Sequence, residues 1–395
     1  MARVLVLDGH TNQALACVRS LAQAAHEVLV GSEWRLPLAA WSRFCRGTFH
    51  VRAQTAESFS AIREWAESEK VEIVLPLTER SCRLCNHTRA EWERGGITIA
   101  CGPDAMLMLA FDKAATVHLA SACGVAIPQT RFPESDEECV ASAVALGWPC
   151  VVKPRFSHSW DGRTFLPDRG CAYASEVDAL RKAVTLRRQA GAWPMIQACV
   201  AGTGRGVFAL CDRGRVVAWF AHERLRDVQP TGSGSSLRRS IALDDRLRQP
   251  AARLLAAMEW HGPAMVEFRD DGGSTPVLME VNGRFWNSLQ LAVDAGVDFP
   301  RMWIDLLTGG SVPPVSSYTE GVTSRWLWGD VKRFLRIAAG PPSGYTGPYP
   351  SRWQGVTELF GPQPSGTRLE VWRPSDPWPA MGEWIQGVQE VMTHG

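Results

Sequence analysis

The residues best suited to chemistry in this sequence are acidic side chains in the segment 263–284. Apolar and polar residues alternate there on both sides of a glycine-rich turn, a period of two that predicts a β-hairpin. Glu280 and Asn282 lie two residues apart and therefore share a face. A turn centred on Gly273 and Ser274 would place Glu267 opposite Glu280, with the two side chains roughly 5 Å apart.

Opposed carboxylates repel each other unless a positive group lies between them, and a divalent cation is the simplest such group. Two carboxylates and an amide oxygen form an all-oxygen ligand set that suits Mg²⁺ and leaves positions for water or nucleotide phosphates. The alternative is a solvated hairpin whose acidic residues pair with Arg269 and Arg284. The hairpin alone leaves both interpretations open.

Length and charge favour small-molecule chemistry. The chain has 395 residues, enough for two or three domains with sizeable cores. Its 42 basic and 41 acidic residues give a formal net charge of +1, so no overall field attracts a nucleic acid or an anionic membrane. The N-terminal stretch reaches Asp8 too soon for the apolar core of a signal peptide, and no apolar run approaches membrane-spanning length. We expect a cytoplasmic protein that binds neither nucleic acid nor membrane.

The cysteines indicate reduced thiols. Eleven of them, from Cys17 to Cys211, follow no regular spacing, as in cytosolic proteins without a disulfide framework. Cys82 and Cys85 form a lone CxxC without the second pair of ligands that a structural zinc site needs. The sequence contains neither HExxH nor GxSxG, so zinc-peptidase and serine-hydrolase chemistry have no anchor.

The first hundred residues predict a parallel α/β sheet. Short apolar strands at 3–7, 27–31, 71–77 and 97–100 are separated by helix-like stretches. The turn after the first strand, residues 8–13, lacks the GxGxxG glycines that let a pyrophosphate approach the backbone. This part of the chain is therefore not predicted to bind a dinucleotide.

A second group of elements begins near residue 106. Lys153 lies in the apolar strand 150–154, where an ammonium group is costly unless it faces an anion. The polar loop 155–164 is suited to closing over phosphates, although an ordinary hairpin loop has a similar composition. Farther on, Arg238 follows the Gly-Ser segment 231–236. Arginines beside a flexible loop suit phosphate or carboxylate recognition, and a solvated basic face is the alternative.

Residues 311–395 differ in character from the rest of the chain. Six of the 17 tryptophans lie there among many prolines and glycines. The pattern predicts helices only near 322–339 and 380–393. An aromatic, irregular segment of this kind is typical of one that packs on its parent domain rather than of a substrate lid.

Taken in order, the motifs resemble the ATP-grasp superfamily, in particular its carboxylate–amine ligases with a domain similar to that of the carbamoyl-phosphate synthetase large subunit. The resemblance covers about residues 1–310. The matching motifs are Phe-Asp112-Lys113 before Gly-Val-Ala-Ile-Pro128, Val-Val-Lys153-Pro, Ile-Gln197-Ala-Cys-Val200, His222-Glu-Arg224-Leu-Arg226, Met-Val-Glu267-Phe and Met-Glu280-Val-Asn282-Gly-Arg284. One such motif is weak evidence, but the set in this order is specific.

The resemblance implies an α/β fold, with α+β architecture in the grasp domain. Residues 1–105 would form a parallel, Rossmann-like pre-ATP-grasp domain. Residues 106–310 would form a two-part ATP-grasp domain, with a lid at about 112–202 and a core at about 203–310. Residues 311–395 would be a C-terminal extension rich in tryptophan and proline.

The resemblance also implies a role for individual residues. The ATP phosphates would be held by Lys113 and Lys153, and adenine by backbone groups of the strand that includes Gln197, Cys199 and Val200. The metal ion, Mg²⁺ or Mn²⁺, would be ligated by Glu267, Glu280 and Asn282. The transferring phosphoryl group or the carboxylate substrate would be neutralised by Arg284, Arg224 and Arg238.

The reaction implied by the resemblance joins a carboxylate to an amine through an acyl phosphate, with release of ADP and phosphate. Its substrates would be small metabolites or amino acids. The oligomeric state stays open, a homodimer included.

Two features depart from the family pattern. Residues 202–206 contain no acidic ribose anchor, and Gln197 stands where Glu is common, so the preference for ATP over GTP also stays open. The alternatives are a carboxylate–thiol or carboxyphosphate-type enzyme and a nucleotide-binding module without catalysis.

Overall fold

The computed structural model describes residues 1–51, 54–161, 164–166, 170–188, 192–273 and 275–394. Two predicted features extend beyond these ranges. Residues 162 and 163 of the polar loop lie outside the described residues, as does Ser274 of the predicted hairpin turn.

The N-terminal part of the chain forms a parallel β-sheet flanked by helices, as the spacing of the apolar strands predicts. Its elements are β1 (Arg3–Val6), α1 (Asn12–Gln23), β2 (Glu27–Ser32), a short 3-10 helix (Leu38–Trp41), β3 (Cys45–His50), α2 (Ala56–Ser68), β4 (Ile73–Leu75), α3 (Glu79–His87), α4 (Arg89–Arg94) and β5 (Thr98–Ile99). The strand order is β3-β2-β1-β4-β5. Helix α1 begins after Thr11, whose side chain accepts a hydrogen bond from the Ala14 amide.

A small antiparallel sheet with its own helices follows. The elements are α5 (Asp104–Phe111), α6 (Lys113–Ala122), β6 (Thr130–Arg131), α7 (Asp136–Leu146), β7 (Cys150–Lys153), β8 (Ala172–Ala174), α8 (Val177–Arg187) and β9 (Met195–Ala198). The strand order is β6-β9-β7-β8. Val152, Leu180 and Ile196 belong to a separate hydrophobic cluster beneath this sheet, so the sheet has a core of its own with α7 and α8, whereas α5 and α6 pack in the cluster that includes Leu254 of the next region.

A long mixed sheet contains the predicted hairpin. The elements of this region are β10 (Thr203–Asp212), β11 (Arg215–Arg226), β12 (Leu237–Ser240), α9 (Asp245–Ala257), β13 (Gly262–Asp270), β14 (Val277–Asn282), α10 (Leu289–Asp294) and α11 (Phe299–Leu307). Val207 and Phe208 are neighbours in sequence and therefore point to opposite faces. Val207 packs in the cluster that includes Leu254 of α9, and Phe208 packs in the cluster that includes Val4 and Trp286. The N-terminal sheet therefore shares a core with one face of the long sheet.

The C-terminal segment is more regular than its composition predicts. Its elements are β15 (Thr323–Arg325), α12 (Leu327–Ala339), α13 (Arg352–Phe360), β16 (Arg368–Leu369) and α14 (Pro379–His394). The two strands extend the long sheet, whose order is β14-β13-β10-β11-β12-β15-β16. Helix α13 was not predicted, although Ser351 and Gln354 form a capping box at its start. Among the described helices, none is both long and apolar enough to cross a membrane.

Candidate functional site

The acidic pair lies in the hairpin of β13 and β14. Glu267 and Glu280 pair across the two strands, as the predicted turn requires, so both carboxylates project from the same face of the sheet. A β-bulge follows this pair and places Phe268 opposite Leu278, where an unbulged hairpin would pair it with Met279. The bulge changes the register only on the turn side of the two glutamates.

Glu280 is surrounded by groups that stabilise its negative charge. Asn282 Nδ2 donates a hydrogen bond to Glu280 Oε1 over 2.9 Å, and Arg284 Nη2 donates to Asn282 Oδ1 over 3.0 Å. Burial disfavours the charged carboxylate, but the charges of Lys153 and Lys113 outweigh burial, so the pKa of Glu280 lies below its ordinary value. Glu280 is therefore ionised at neutral pH.

Glu267 experiences the opposite shift. Burial raises its pKa; the ion pair with Arg224 opposes this effect, and the negative charge of Glu280 reinforces it. Arg224 extends from β11 across β10 to reach Glu267, and on this path its guanidinium passes over Gly204. A Cβ atom at Gly204 would collide with Arg224 Nε. Only glycine at this position leaves room for the ion pair.

The donor atoms of the hairpin fit a hard divalent cation. Burial and the negative charge of Glu280 both raise the pKa of Glu267, and a cation between the two carboxylates would remove their repulsion. Asn282 adds an amide oxygen close by. Within the ranges that the structure describes, no three or more His, Cys, Asp and Glu side chains come together to hold a metal. Glu267, Glu280 and Asn282 are thus the residues that could hold Mg²⁺ or Mn²⁺.

Two lysines line a cleft beside Glu280. The walls of the cleft include Lys113, Lys153, Met195 and Leu278. Lys153 is buried, and its Nζ donates to the carbonyl of Met279 over 2.9 Å. Ammonium groups next to an apolar wall suit a ligand that combines phosphates with an aromatic ring.

Lys113 is positioned by the start of helix α6. The Asp112 carboxylate caps the helix by accepting from the Ala114 amide, and it also accepts from Arg155 Nε over 2.8 and 2.9 Å. The Lys113 amide donates to the Arg155 carbonyl over 3.0 Å, and Lys113 Nζ donates to Ser157 Oγ over 2.7 Å. The first turn of α6 is therefore fixed to the loop after β7, whose composition suits either closing over phosphates or an ordinary hairpin loop.

The predicted adenine-binding strand is shorter than expected, because β9 ends at Ala198. Gln197 is buried within the small sheet, and its Nε2 donates to Thr130 Oγ1 over 2.9 Å. Cys199 is exposed just beyond the strand. Val200 follows, and its carbonyl accepts from Arg269 Nη1 over 3.1 Å.

The structure brings two of the three predicted arginines to the hairpin. Arg224 contacts Glu267, and Arg284 contacts Asn282. Both guanidinium groups are therefore connected to the candidate metal ligands, and Arg284 keeps a half-buried position from which an anion could be bound.

Arg238 pairs with Arg224 across β11 and β12, but its side chain contacts other residues, and its role in the site stays a prediction. Its side chain is 1% exposed, forms an ion pair with Glu370 and donates from Nη1 to the Ser235 carbonyl over 2.6 Å. Burial lowers its pKa to about 9. The sequence could not relate Arg238 to Glu370, because 132 residues separate them and the strand that joins their neighbourhoods, β16, was not predicted.

The sequence pattern indicates no role for the Asp112–Arg155 pair, and it indicates Arg269 only as a partner for acidic side chains. The sequence does show that both arginines lie close to predicted site residues. Arg155 follows Lys153 by two residues, and Arg269 follows Glu267 by two residues on the same face of β13. The contacts of these residues depend on loops, whose course a sequence pattern does not predict.

Part of the chain resembles known proteins in sequence. Residues 194–329 match a family model described as ATP-grasp in the biosynthetic pathway with Ter operon. A formate-dependent phosphoribosylglycinamide formyltransferase of Stutzerimonas stutzeri (strain A1501) is 31% identical over 107 residues, which are 27% of this chain and 26% of that protein. The chain thus spans about a quarter of the length of the curated relatives it matches.

Solved structures resemble the chain over a larger share of its length. The biotin carboxylase complex from Campylobacter jejuni superposes with a TM-score of 0.66 at 16% identity, covering 82% of this chain and 74% of that one. An ADP complex of N5-carboxyaminoimidazole ribonucleotide synthetase gives 0.64 at 12% identity, covering 91% of this chain and 96% of that one. These likenesses concern the fold, and they confirm the predicted α/β class. The match to an ATP-grasp family covers residues 194–329, and the solved structures share the fold of the chain around it.

Proposed function

We propose that this protein is an ATP- and Mg²⁺-dependent ligase that activates a carboxylate as an acyl phosphate and joins it to an amine. The observation that carries the proposal is the single cleft in which Lys113 and Lys153 lie beside Glu280, with Glu267 directly opposite Glu280. Cations for phosphate oxygens and carboxylates for a metal ion are the parts that phosphoryl transfer requires. Glu267, Glu280 and Asn282 would hold Mg²⁺, which would supply positive charge to neutralise the phosphates.

In the first step, the formation of the acyl phosphate, different residues would bind ATP and the carboxylate. Lys113 and Lys153 would bind phosphate oxygens, while the apolar wall of the cleft would hold the base against the backbone near Val200. Arg284 would bind the carboxylate substrate close to the hairpin. A substrate carboxylate oxygen then attacks the γ-phosphorus, the bond from the γ-phosphorus to the β,γ-bridging oxygen breaks, and ADP leaves.

In the second step the amine attacks the acyl carbon, phosphate leaves, and the amine nitrogen loses a proton to give the amide. We infer small metabolites or amino acids as substrates and a peptide or amide as product. The proposed arrangement has a Rossmann-like pre-ATP-grasp domain at 1–105, the ATP-grasp domain at 106–310 and the extension at 311–395. The described cysteines are all free thiols, which supports a reducing, cytoplasmic setting.

The test combines trapping with a matched pair of variants. ATP, Mg²⁺, hydroxylamine and a panel of carboxylates should give ADP and a hydroxamate, because hydroxylamine captures an acyl phosphate. Glu280→Gln should lower turnover by about a hundredfold to a thousandfold, the scale seen when a group that stabilises developing charge is removed. Glu223→Gln is the control, because Glu223 lies on the opposite face of the long sheet in an ion pair with Arg239. Near-normal ADP release by Glu280→Gln would refute the metal assignment.

A carboxyphosphate-type reaction is the second candidate, favoured by the likeness to biotin carboxylase and N5-carboxyaminoimidazole ribonucleotide synthetase. In that case ADP release would depend on bicarbonate and would be unaffected by the organic carboxylate panel. Thiol acceptance would instead yield a thioester, which mass spectrometry separates from an amide. If the protein binds Mg·ADP but forms no ADP from ATP under any of these conditions, it is a nucleotide-binding module without catalysis.

A further inference from the structure

The loop between β11 and β12, residues 227–236, is held at its base by the C-terminal segment. Arg333 Nη1 donates to the carbonyl of Asp227 over 2.8 Å, and the amide of Trp326 donates to the carbonyl of Ser236 over 2.7 Å. Both ends of the loop are therefore fixed to the region around α12.

The tip of the same loop is held from the opposite side. Tyr173 of β8 donates from its hydroxyl to the carbonyl of Thr231 over 3.1 Å. Arg269 Nη2 donates to the carbonyl of Gly232 over 3.3 Å. Gly232 has φ of +105°, and a Cβ atom there would collide with Arg269 Nη2. The approach of Arg269 thus depends on glycine for both its backbone conformation and its lack of a side chain.

The other arm of Arg269 reaches the segment that follows β9, residues 199–202, which we call the hinge. Its Nη1 donates to the carbonyl of Val200 over 3.1 Å and to that of Gly202 over 3.3 Å. One planar guanidinium therefore joins the hinge and the 227–236 loop, and the rigid fork of arginine makes such a two-sided contact possible.

We propose that Arg269 is a positioning residue that couples the nucleotide site to the 227–236 loop, an inference that rests on the proposed function. Occupation of the cleft moves or stiffens the hinge, and Arg269 transmits this change to Gly232. The loop in turn contacts Arg224, the partner of Glu267, because Asp227 Oδ1 lies 3.4 Å from Nη1 of Arg224. Binding at the cleft thereby sets the loop that contacts Arg224.

Tyr173 gives the coupling a second connection. It lies in the small antiparallel sheet, and its ring packs edge-to-face on Tyr345 of the C-terminal segment with centroids 4.9 Å apart. The loop tip is thus connected to the small sheet by Tyr173 and to the hinge by Arg269. Removing the Tyr173 hydroxyl should release the loop while leaving the Arg269–hinge contacts intact.

The test is hydrogen–deuterium exchange of the full chain, with Mg·ADP as the probe. Without nucleotide, Arg269→Gln should raise amide exchange in both the hinge and the 227–236 loop by about tenfold, because bonds from a charged donor are lost at both places. With Mg·ADP, the wild type should gain protection in both segments, whereas Arg269→Gln should gain it in the hinge alone. Arg301→Gln is the matched control, since Arg301 forms an exposed pair with Asp305 on α11.

Two further variants keep the test decisive. Arg269→Lys retains the charge without the fork, so Mg·ADP should protect its hinge more than its loop. Tyr173→Phe should raise exchange of the loop alone, and Tyr345→Phe, whose hydroxyl donates to Pro348, is its control. Should Arg269→Gln fail to fold, these two variants carry the comparison.

Equal protection of the 227–236 loop by Mg·ADP in the wild type and in Arg269→Gln would overturn the coupling. It would also be overturned if, without nucleotide, Arg269→Gln raised amide exchange in only the hinge or only the loop. A wild-type hinge that Mg·ADP leaves unprotected would refute the proposed nucleotide site instead. The nucleotide-free comparison still decides whether Arg269 joins the two segments in that case.

Discussion

Gly204→Ala tests whether the Arg224–Glu267 ion pair depends on a missing side chain. Gly204 lies on β10, between the strand that carries Arg224 and the strand that carries Glu267. Its φ lies outside the left-handed region, so alanine is allowed by the backbone. The added methyl group would occupy the position of Arg224 Nε and would force the guanidinium away from Glu267.

The size and sign of the effect follow from this geometry. Overpacking against a buried side chain costs about 1–3 kcal/mol of unfolding free energy. We expect the upper part of that range, because Arg224 is 9% exposed and loses a charged partner as it moves. In an Arg224→Ala background the obstacle is gone. Gly204→Ala should then stabilise the protein by about 0.5–1 kcal/mol, since alanine reduces the entropy of the unfolded chain.

Urea unfolding of the wild type, both single variants and the double variant closes a double-mutant cycle. Gly273→Ala is the control, because Gly273 lies in the turn of the neighbouring hairpin and a Cβ atom there would meet nothing within 4 Å. ADP release should fall with Gly204→Ala and not with Gly273→Ala. A Gly204→Ala cost that is the same with and without Arg224 would refute the reasoning.

Three other predictions concern the same fold. Asp112→Ala should weaken Mg·ADP binding, measured by calorimetry, about tenfold, because it removes the cap of α6 and the partner of Arg155. Ser135→Ala, which removes the cap of α7, is the control and should leave binding unchanged. Without metal, the raised pKa of Glu267 contributes to the free energy of unfolding. This contribution is full below its unfolded pKa of about 4.5 and is lost as pH rises towards the folded value. Glu267→Gln should therefore flatten this part of the stability–pH curve, and an unchanged slope would contradict the assignment. Burial raises the pKa of Glu383 to about 7, so the stability that it contributes falls between about pH 4.5 and 7. Above pH 7, the free energy of unfolding of Glu383→Gln should exceed that of the wild type by up to about 3 kcal/mol, as measured by thermal or urea unfolding.

The hairpin was predictable because its evidence is local. The period of two fixes which residues share a face, and a short turn fixes the pairing, so Glu267 opposite Glu280 follows from residues close together in sequence. The parallel sheet of the first hundred residues was predictable for the same reason. Each strand is a short apolar run, and the intervening helices imply parallel connections.

The contacts between distant segments could not be predicted in this way. Arg238 pairs with Glu370, and Arg269 bridges Val200 and Gly232. Each of these contacts depends on how loops and strands from different regions meet, and neither period nor composition carries that information. The shorter β9 illustrates the same limit, because the apolar run continues to Val200 in sequence while the strand ends at Ala198.

The C-terminal segment supports the candidate site rather than covering it. Its strands β15 and β16 continue the long sheet beside β12, and Glu370 neutralises Arg238, which is almost completely buried. Asp330 accepts from Arg226 over 2.7 Å, at the base of the 227–236 loop. Separating this segment from the sheet would break the ion pairs of both arginines and expose the buried Arg238. We therefore expect the segment to stay on the sheet that carries the site.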